Sequence, residues 1–301
     1  MSKPESHAGP SGSSVTTLTS EQLAALAQEH GLEPVGVRPS LGAYLATMWQ
    51  RRHFAFRLAS SKAYARNQGS YLGQVWAILN PVLWATVYFM VFGLILKTDR
   101  GIDNFVGFLV AGVFMFHFVS ACISNGAKAI TSNQGVITAL QFPRALLPVA
   151  TVLSELFTLL PALLVLLLIV PATDEPLSPA MLLMPVAVLL AWLFGTGIAF
   201  ICARLVVQFR DVQQLIPFVL RAAMYMSGVF FSIEHYAGDS AFAPLLENQP
   251  IAVFLRLVRS TLLEGVPMTP STWLWAVGWA LGTLVIGFIF FWQAEESYGR
   301  G

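Results

Sequence analysis

A chain of 301 residues that is 56% hydrophobic and 11% charged, with a mean hydropathy of +0.67, holds more apolar surface than one soluble core can bury. Soluble domains carry about 25% charged residues, so the solvent for the remainder is lipid. A net charge of +1 offers no basic field and excludes nucleic acid as a partner.

The first 40 residues, opening "MSKPESHAGPSGSSVTTLTS", contain no apolar run of the signal-peptide kind, so a loosely ordered tail on the cytoplasmic side is expected. Over Leu41–Lys62 the apolar side chains Leu45, Met48, Trp49, Phe56 and Ala59 fall near one helical face, with Arg51, Arg52 and Arg57 largely elsewhere. This is the pattern of a helix lying in a membrane interface, over residues 41–65. The stretch "RNQGSYLGQVWAILNP" comes next. Gly69 and Gly73 permit a turn from that helix into the membrane, and Pro81 suits a first helical turn.

Six spans are expected, at about residues 78–96, 105–123, 147–170, 180–203, 215–233 and 273–292. The fifth is interrupted by Arg221. With both termini inside, twelve of the basic residues outside the spans lie on the inner side, among them Arg51, Arg52, Arg57, Lys62, Arg66, Lys128, Arg144, Arg204 and Arg210. Four, Lys97, Arg100, Arg256 and Arg259, lie on the outer side, which is the positive-inside sense. Between the second and third spans, residues 124–139 read as one inner helix, stopped by Pro143 so that Arg144 sits at headgroup level. Outside, "PIAVFLRLVRSTLLEG" is too short and charged to cross, and reads as a re-entrant or surface helix with Arg256 and Arg259 on one side.

Catalytic patterns are missing. No G-x-x-x-x-G-K-[ST] occurs, so nucleotide phosphates have no cradle on this chain. His117 is the histidine inside a span and reads as a packed, hydrogen-bonded residue. Ser227 in "YMSGVFF" has no histidine to activate it, and His235 stands alone outside. Cys122 and Cys202 read as small apolar side chains; no metal site is expected. Glu155 and Arg221 are the ionisable groups within spans that face either the interface or a water-filled vestibule. With no ion-coupling network, the energy source is another chain.

Arg66, Ser70, Leu72, Gly73, Trp76, Leu79, Asn80 and Pro81 resemble the approach to the first span in ABC-2 type polysaccharide-exporter permeases, the membrane subunits of O-antigen, capsule and teichoic-acid exporters. The resemblance continues through Asn133, Phe142, Pro143, Arg144 and Pro148, through "FRDVQQLIPFVLR", and through Gln249-Pro250, which replaces the family's Asn-Pro. It spans about residues 41–292. It implies an all-α integral membrane fold of the ABC-2 (type V) exporter kind, with six transmembrane helices after an amphipathic interfacial helix, in the bacterial plasma membrane.

The resemblance also implies a homodimer with two copies of a separate ATPase that holds ATP and magnesium, no cofactor on this chain, and a polyprenyl-diphosphate-linked glycan as cargo. Cell-wall galactan is the first expectation, since Arg outnumbers Lys thirteen to four as in GC-rich genomes. Coupling to the ATPase is expected at Lys128, Asn133 and Gln134, then at Arg51, Arg52 and Arg57. A glycan conduit wants aromatic rings with polar tips and few charges. Trp84, Tyr88 and Phe92 at i, i+4, i+8 and Tyr225, Phe230 and Phe231 supply them, and are expected to oppose each other across the dimer axis. Arg221 with Arg204 and Arg210, and on the outer side Arg256 and Arg259, are the expected lipid-diphosphate or gate residues. An ABC-2 exporter of drugs or other lipids, and a non-transporting scaffold or enzyme of envelope assembly, stay open as alternatives.

Overall fold

The computed structural model describes residues 19, 26, 40–66, 68–69, 71–95, 102–173, 175–237 and 240–299. The tail expected over residues 1–40 lies almost wholly outside the described residues. Contacts divide the chain into Met1–Val37 and Arg38–Gly301, and the helical bundle is the second unit.

The described residues form helices and loops without a strand. Helix α1, Leu41–Gln50, and α2, Arg52–Ala65, replace the single interfacial helix expected, because Arg51 leaves the helical conformation at φ −94°, ψ 14°. Ser40 caps α1 by accepting from the Ala43 N–H. Ala55 and Ala59 are buried against the third span, and Tyr44 is 1% exposed. The outer surface keeps Leu45, Trp49 and Phe56 exposed. The apolar residues therefore divide between two sides, with Tyr44, Met48, Ala55 and Ala59 packed inward and Leu45, Trp49 and Phe56 outward.

Gly69 and Gly73 both have positive φ, 87° and 49°, as the expected hinge requires. Helix α3 begins at Trp76 and continues past Tyr88 as a π-helical stretch, Phe89–Ile95. Pro81 is thus its sixth residue and lies inside the helix, not in its first turn. The remaining elements are α4, Phe105–Ala127; α5, Gln134–Ala139; α6, Leu146–Ala172; α7, Met184–Gln208; and α8, Val212–Met226. They are followed by α9, Ile233–Ala237; α10, Ala243–Asn248; α11, Pro250–Leu262; α12, Pro270–Gln293; and a closing 3-10 turn, Glu295–Gly299.

Among the described residues, five helical stretches are long and apolar enough to cross a membrane: Trp76–Ile95, Phe105–Ala127, Leu146–Ala172, Pro179–Gln208 and Pro270–Gln293. The expected fifth span over 215–233 is corrected in length. Helix α8 has 15 residues, about 22 Å at 1.5 Å per residue, and it ends at Ser227 and Gly228. Gly228 has φ +69°, and a Cβ there would stand 2.8 Å from Ile233 Cγ1. The path still runs the length of the bundle. Ile216 and Leu220 pack on Ala127 and Val206 at the end of α4 and α7, while Gly228 and Val229 meet Phe108 through Arg259 at the other end.

Helix α4 is the centre, buried from Gly107 to Phe116 and flanked by α6, α7 and α11. Small residues let the backbones approach, as packing in lipid demands. A Cβ on Gly287 of α12 would lie 2.2 Å from the Gly197 carbonyl oxygen of α7, and one on Gly126 of α4 would lie 2.4 Å from Ala199 Cβ. The two cysteines are unpaired, as their reading as apolar side chains requires.

Two polar knots mark the ends. At the near end, Tyr44 donates to Glu295 Oε2 at 2.8 Å, the Arg144 N–H donates to Glu295 Oε1 at 2.9 Å, and the Ala145 N–H donates to the Tyr44 hydroxyl at 3.1 Å. The Arg144 guanidinium also donates to the Glu295 carbonyl. At the far end, Asn104 caps α4 by accepting from Gly107 N–H at 2.9 Å and donates to Thr173 and Glu175. Glu175 also receives the Glu264 N–H. Helices α1 and α2 and the C-terminal turn are therefore neighbours at one end of the bundle.

Candidate functional site

Arg66 follows α2 and its guanidinium reaches Glu155 of α6 with two hydrogen bonds, Nη1 to Oε2 at 3.0 Å and Nη2 to Oε1 at 2.5 Å. Asn125 of α4 adds a third at 2.9 Å. Glu155 is 3% exposed, so it neither extends to the interface nor stands uncompensated. Beside it Lys62 donates to Thr151 at 3.2 Å. Burial holds the Lys62 ammonium below its ordinary range, with Glu155 offsetting part of that.

Arg66 and Glu155 line a cavity of about 260 Å³ between α3, α4 and α6, lined also by Trp76, Ala77, Asn80, Pro81, Trp84 and His117. The expectation that His117 is packed within the bundle is corrected. From Phe108 to Val119 every side chain is buried except that of His117, which opens to the cavity, its ring 5.7 Å from Trp84.

From the cavity a file of rings leads toward the far end. Trp84 stacks on Tyr88 at 5.7 Å, Tyr88 is 6.3 Å from Phe92, and Phe92 lies parallel to Phe230 at 4.0 Å. Tyr88 and Tyr225 flank Phe230 at 5.2 and 6.0 Å. The two aromatic sets, expected to oppose each other across a dimer axis, thus already touch within one chain. The broken end of α8 makes this possible, because it folds Phe230 back under Tyr225. Phe231 turns away and lines a second cavity of about 290 Å³ at the far end, with Asp103, Glu175, Glu234, Arg256 and Glu264.

The expected arginine group does not assemble. Arg256 lies between Glu234 and Glu247, at 3.4 and 3.6 Å. Arg259 is 5% exposed and donates to three backbone carbonyls, Phe108 at 3.0 Å, Gly228 at 2.9 Å and Val229 at 2.8 Å. The Arg259 guanidinium is thus spent on backbone carbonyls, whereas Arg256 lines the second cavity beside its two carboxylates. Arg204 donates to the Phe290 carbonyl and lies over the Phe290 ring, which ties α7 to the end of α12. Arg210 and Arg221 are exposed, and Arg221 is the tenth residue of α8, deeper than its first two turns.

The inner helix expected over 124–139 is also divided. Helix α4 runs on to Ala127, a turn follows Lys128, and α5 starts only at Gln134. Lys128 is exposed. Asn133 donates to the Ala129 carbonyl at 2.6 Å, holding the turn, and α5 packs against the closing turn that carries Glu295. Arg51 donates to the Gln141 carbonyl at 2.5 Å. Arg52 lies over the Trp49 ring at 4.8 Å, and Arg57 is exposed.

Burial raises the Glu295 carboxyl above its ordinary range, against the hydrogen bonds from Arg144 and Tyr44. Burial, then Glu295, pushes the Tyr44 phenol up, so it serves as a donor throughout the ordinary pH range.

The family described as ABC-2 type transporter matches residues 56–263, which contain the cavity, the ring file and both arginines of α11. The chain belongs to the ABC-2 type transporter family. It is similar to an O-antigen export system permease protein RfbA of Myxococcus xanthus, 26% identical over 72% of this chain and 83% of that one. It is also similar to an RfbA protein of Klebsiella pneumoniae, 24% identical over 66% and 76%, and to a polysialic acid transport protein KpsM of Escherichia coli, 25% identical over 75% and 87%. The resemblance read from the hinge and Phe-Pro-Arg motifs therefore holds. The motif reading used Arg66, Trp76 and Asn80 as markers and missed that they share one cavity with Glu155 and His117. The available signal was a lone histidine and a lone glutamate within apolar runs.

Proposed function

We propose that this ABC-2 chain is the membrane subunit of an ATP-driven exporter whose cargo is a polyprenyl-diphosphate-linked polysaccharide of the galactan, O-antigen or teichoic-acid class. The observation that carries the reading is the ring file from Trp84 to Phe230. Sugars present flat C–H faces and hydroxyls, and slide best past aromatic faces with polar tips and few charges. The similarity to O-antigen and polysialic acid permeases supports the cargo class.

The file lies along α3, which leaves Trp84, Val87 and Val91 exposed. A second copy of the chain would supply the opposite wall, giving a homodimer. Two copies of a separate ATPase would bind ATP and magnesium and press on the near end, which the distribution of basic residues makes the cytoplasmic one. Lys128 and α5 are the first contact and Arg52 with Arg57 the second. A push on α5 meets the closing turn and, through Glu295, reaches α1 and α12 together.

The test is complementation of a strain lacking this chain. Tyr88→Ala and Tyr225→Ala lower surface glycan and build up lipid-linked glycan inside. Normal surface glycan in both variants removes the conduit. A chain without residues 124–139 that still captures the ATPase removes the coupling contact.

A further inference from the structure

We propose that the cavity between α3, α4 and α6 is a discrete subsite for one neutral sugar ring, and not a seat for the diphosphate of a lipid carrier. The inference deepens the export reading and rests on it.

Charge decides against the anion. The cation on the cavity wall, Arg66, is already held in two hydrogen bonds by Glu155, and Asn125 completes that carboxylate. A diphosphate would meet an Arg66 whose charge is already balanced, and would bring its own negative charge beside a carboxylate that is 3% exposed. A sugar hydroxyl is donor and acceptor at once and joins such a network without breaking it.

Three further features offer what a sugar ring uses. Trp84 is 49% exposed and gives a flat face, with Trp76 on the same wall. Pro81 has no N–H to give the carbonyl of Ala77 one turn earlier, and both residues line the cavity, so that carbonyl lacks its usual helical donor. His117 is the single exposed side chain in an otherwise buried stretch of α4. A polar group so placed within a span is costly unless something polar meets it. The volume, about 260 Å³, sits just below the range of about 300–1,000 Å³ for small-molecule pockets, so it suits a single ring and not a chain. Trp84 belongs to both the cavity and the file, so a ring leaving the subsite passes directly to Tyr88.

The experiment is saturation-transfer NMR on the full chain, co-purified with its ATPase in lipid nanodiscs, using the methyl glycosides of galactose, mannose and N-acetylglucosamine. Ring protons of at least one glycoside receive transfer. His117→Ala and Trp84→Ala each weaken apparent affinity by about tenfold, and inorganic diphosphate does not compete. Asn80→Ala, at an exposed position, repeats the loss where the other variants are unstable. Absence of transfer to all three glycosides overturns the subsite, as does transfer that survives these variants or is displaced by inorganic diphosphate. If Tyr88→Ala abolishes surface glycan while no glycoside binds, the subsite falls and the exporter reading stands. Glycosides bound here in a chain that exports no glycan support the subsite and overturn the exporter reading.

Discussion

The two ends of the bundle are closed by opposite charges. At the near end the Glu295 carboxylate receives hydrogens from Tyr44 and from the Arg144 main chain. At the far end the Arg259 guanidinium gives hydrogens to the carbonyls of Phe108, Gly228 and Val229. Two of the acceptors at the far end, Gly228 and Val229, are backbone groups freed where α8 breaks, and the third, Phe108, lies on α4, so a rigid fork of donors ties the break to that helix. The near end instead gathers donors from the segments around Tyr44 and Arg144 on one side-chain carboxylate. One end is a clamp for irregular backbone, the other a joint between chain segments.

The largest effect is expected at the clamp. Arg259→Met leaves the buried Gly228 and Val229 carbonyls without this donor and should cost at least about 2 kcal/mol, roughly 1 kcal/mol for each. Arg259→Lys should restore only part, since an ammonium lacks the fork. Thermal unfolding in detergent measures both, and a wild-type melting temperature in Arg259→Met would make the two ends equivalent.

Between the ends, Gly287→Val forces a side chain toward the Gly197 carbonyl, 2.2 Å from the first atom added. Separation of α7 from α12 should cost about 1–3 kcal/mol, again read by thermal unfolding. An unchanged melting temperature would show that this crossing is looser than its geometry.

Nearer the joint, Arg66→Ala strands Glu155. Because Arg66 is 39% exposed, the cost should be nearer about 1–2 kcal/mol than the full penalty for breaking a buried pair. Arg66→Ala/Glu155→Gln should recover much of it. A double-mutant cycle with no coupling would remove the pair from the account.

The smallest effect is Glu295→Gln, which keeps one acceptor oxygen for the Arg144 N–H and turns the other into an NH2 that must donate to the Tyr44 hydroxyl, and should change stability by about 1 kcal/mol. Its pH signature is sharper. The folded pKa lies above 4.5 because of burial, so the folded chain holds this proton more tightly than the unfolded chain. The stabilisation is complete below about pH 4.5 and is lost as pH rises through the folded value. The wild-type melting temperature should therefore rise between about pH 7.5 and about pH 5 more than that of Glu295→Gln. Parallel curves would place the Glu295 proton outside the joint.

Much of this was legible in the residues. The apolar runs around Phe105–Ala127 and Leu146–Ala172 mark crossings because hydropathy accumulates over a window and needs no partner. Gly69 and Gly73 mark the hinge because positive φ is a property of single residues. The length of α8 was not legible. Val229, Phe230 and Phe231 read as a continuing span, and only Arg259, 30 residues from Val229, lets the chain break at Gly228 without stranding its carbonyls.

The interior roles of the arginines were equally hidden. In sequence Arg204, at a span end, and Arg256 and Arg259, on the outer helix, are alike as cations beside apolar runs. Their partners, Phe290, Glu234 and the carbonyls around Gly228, lie elsewhere in the chain. The cavity shows the same limit, since Arg66 and Glu155 are 89 residues apart. Membrane residence, crossings and hinge followed from local composition and conformational preference, which a linear chain carries with it. Which polar groups satisfy one another, and which remain for a ligand, was decided only when distant helices met, because hydrogen bonding depends on distance in space and not on order along the chain.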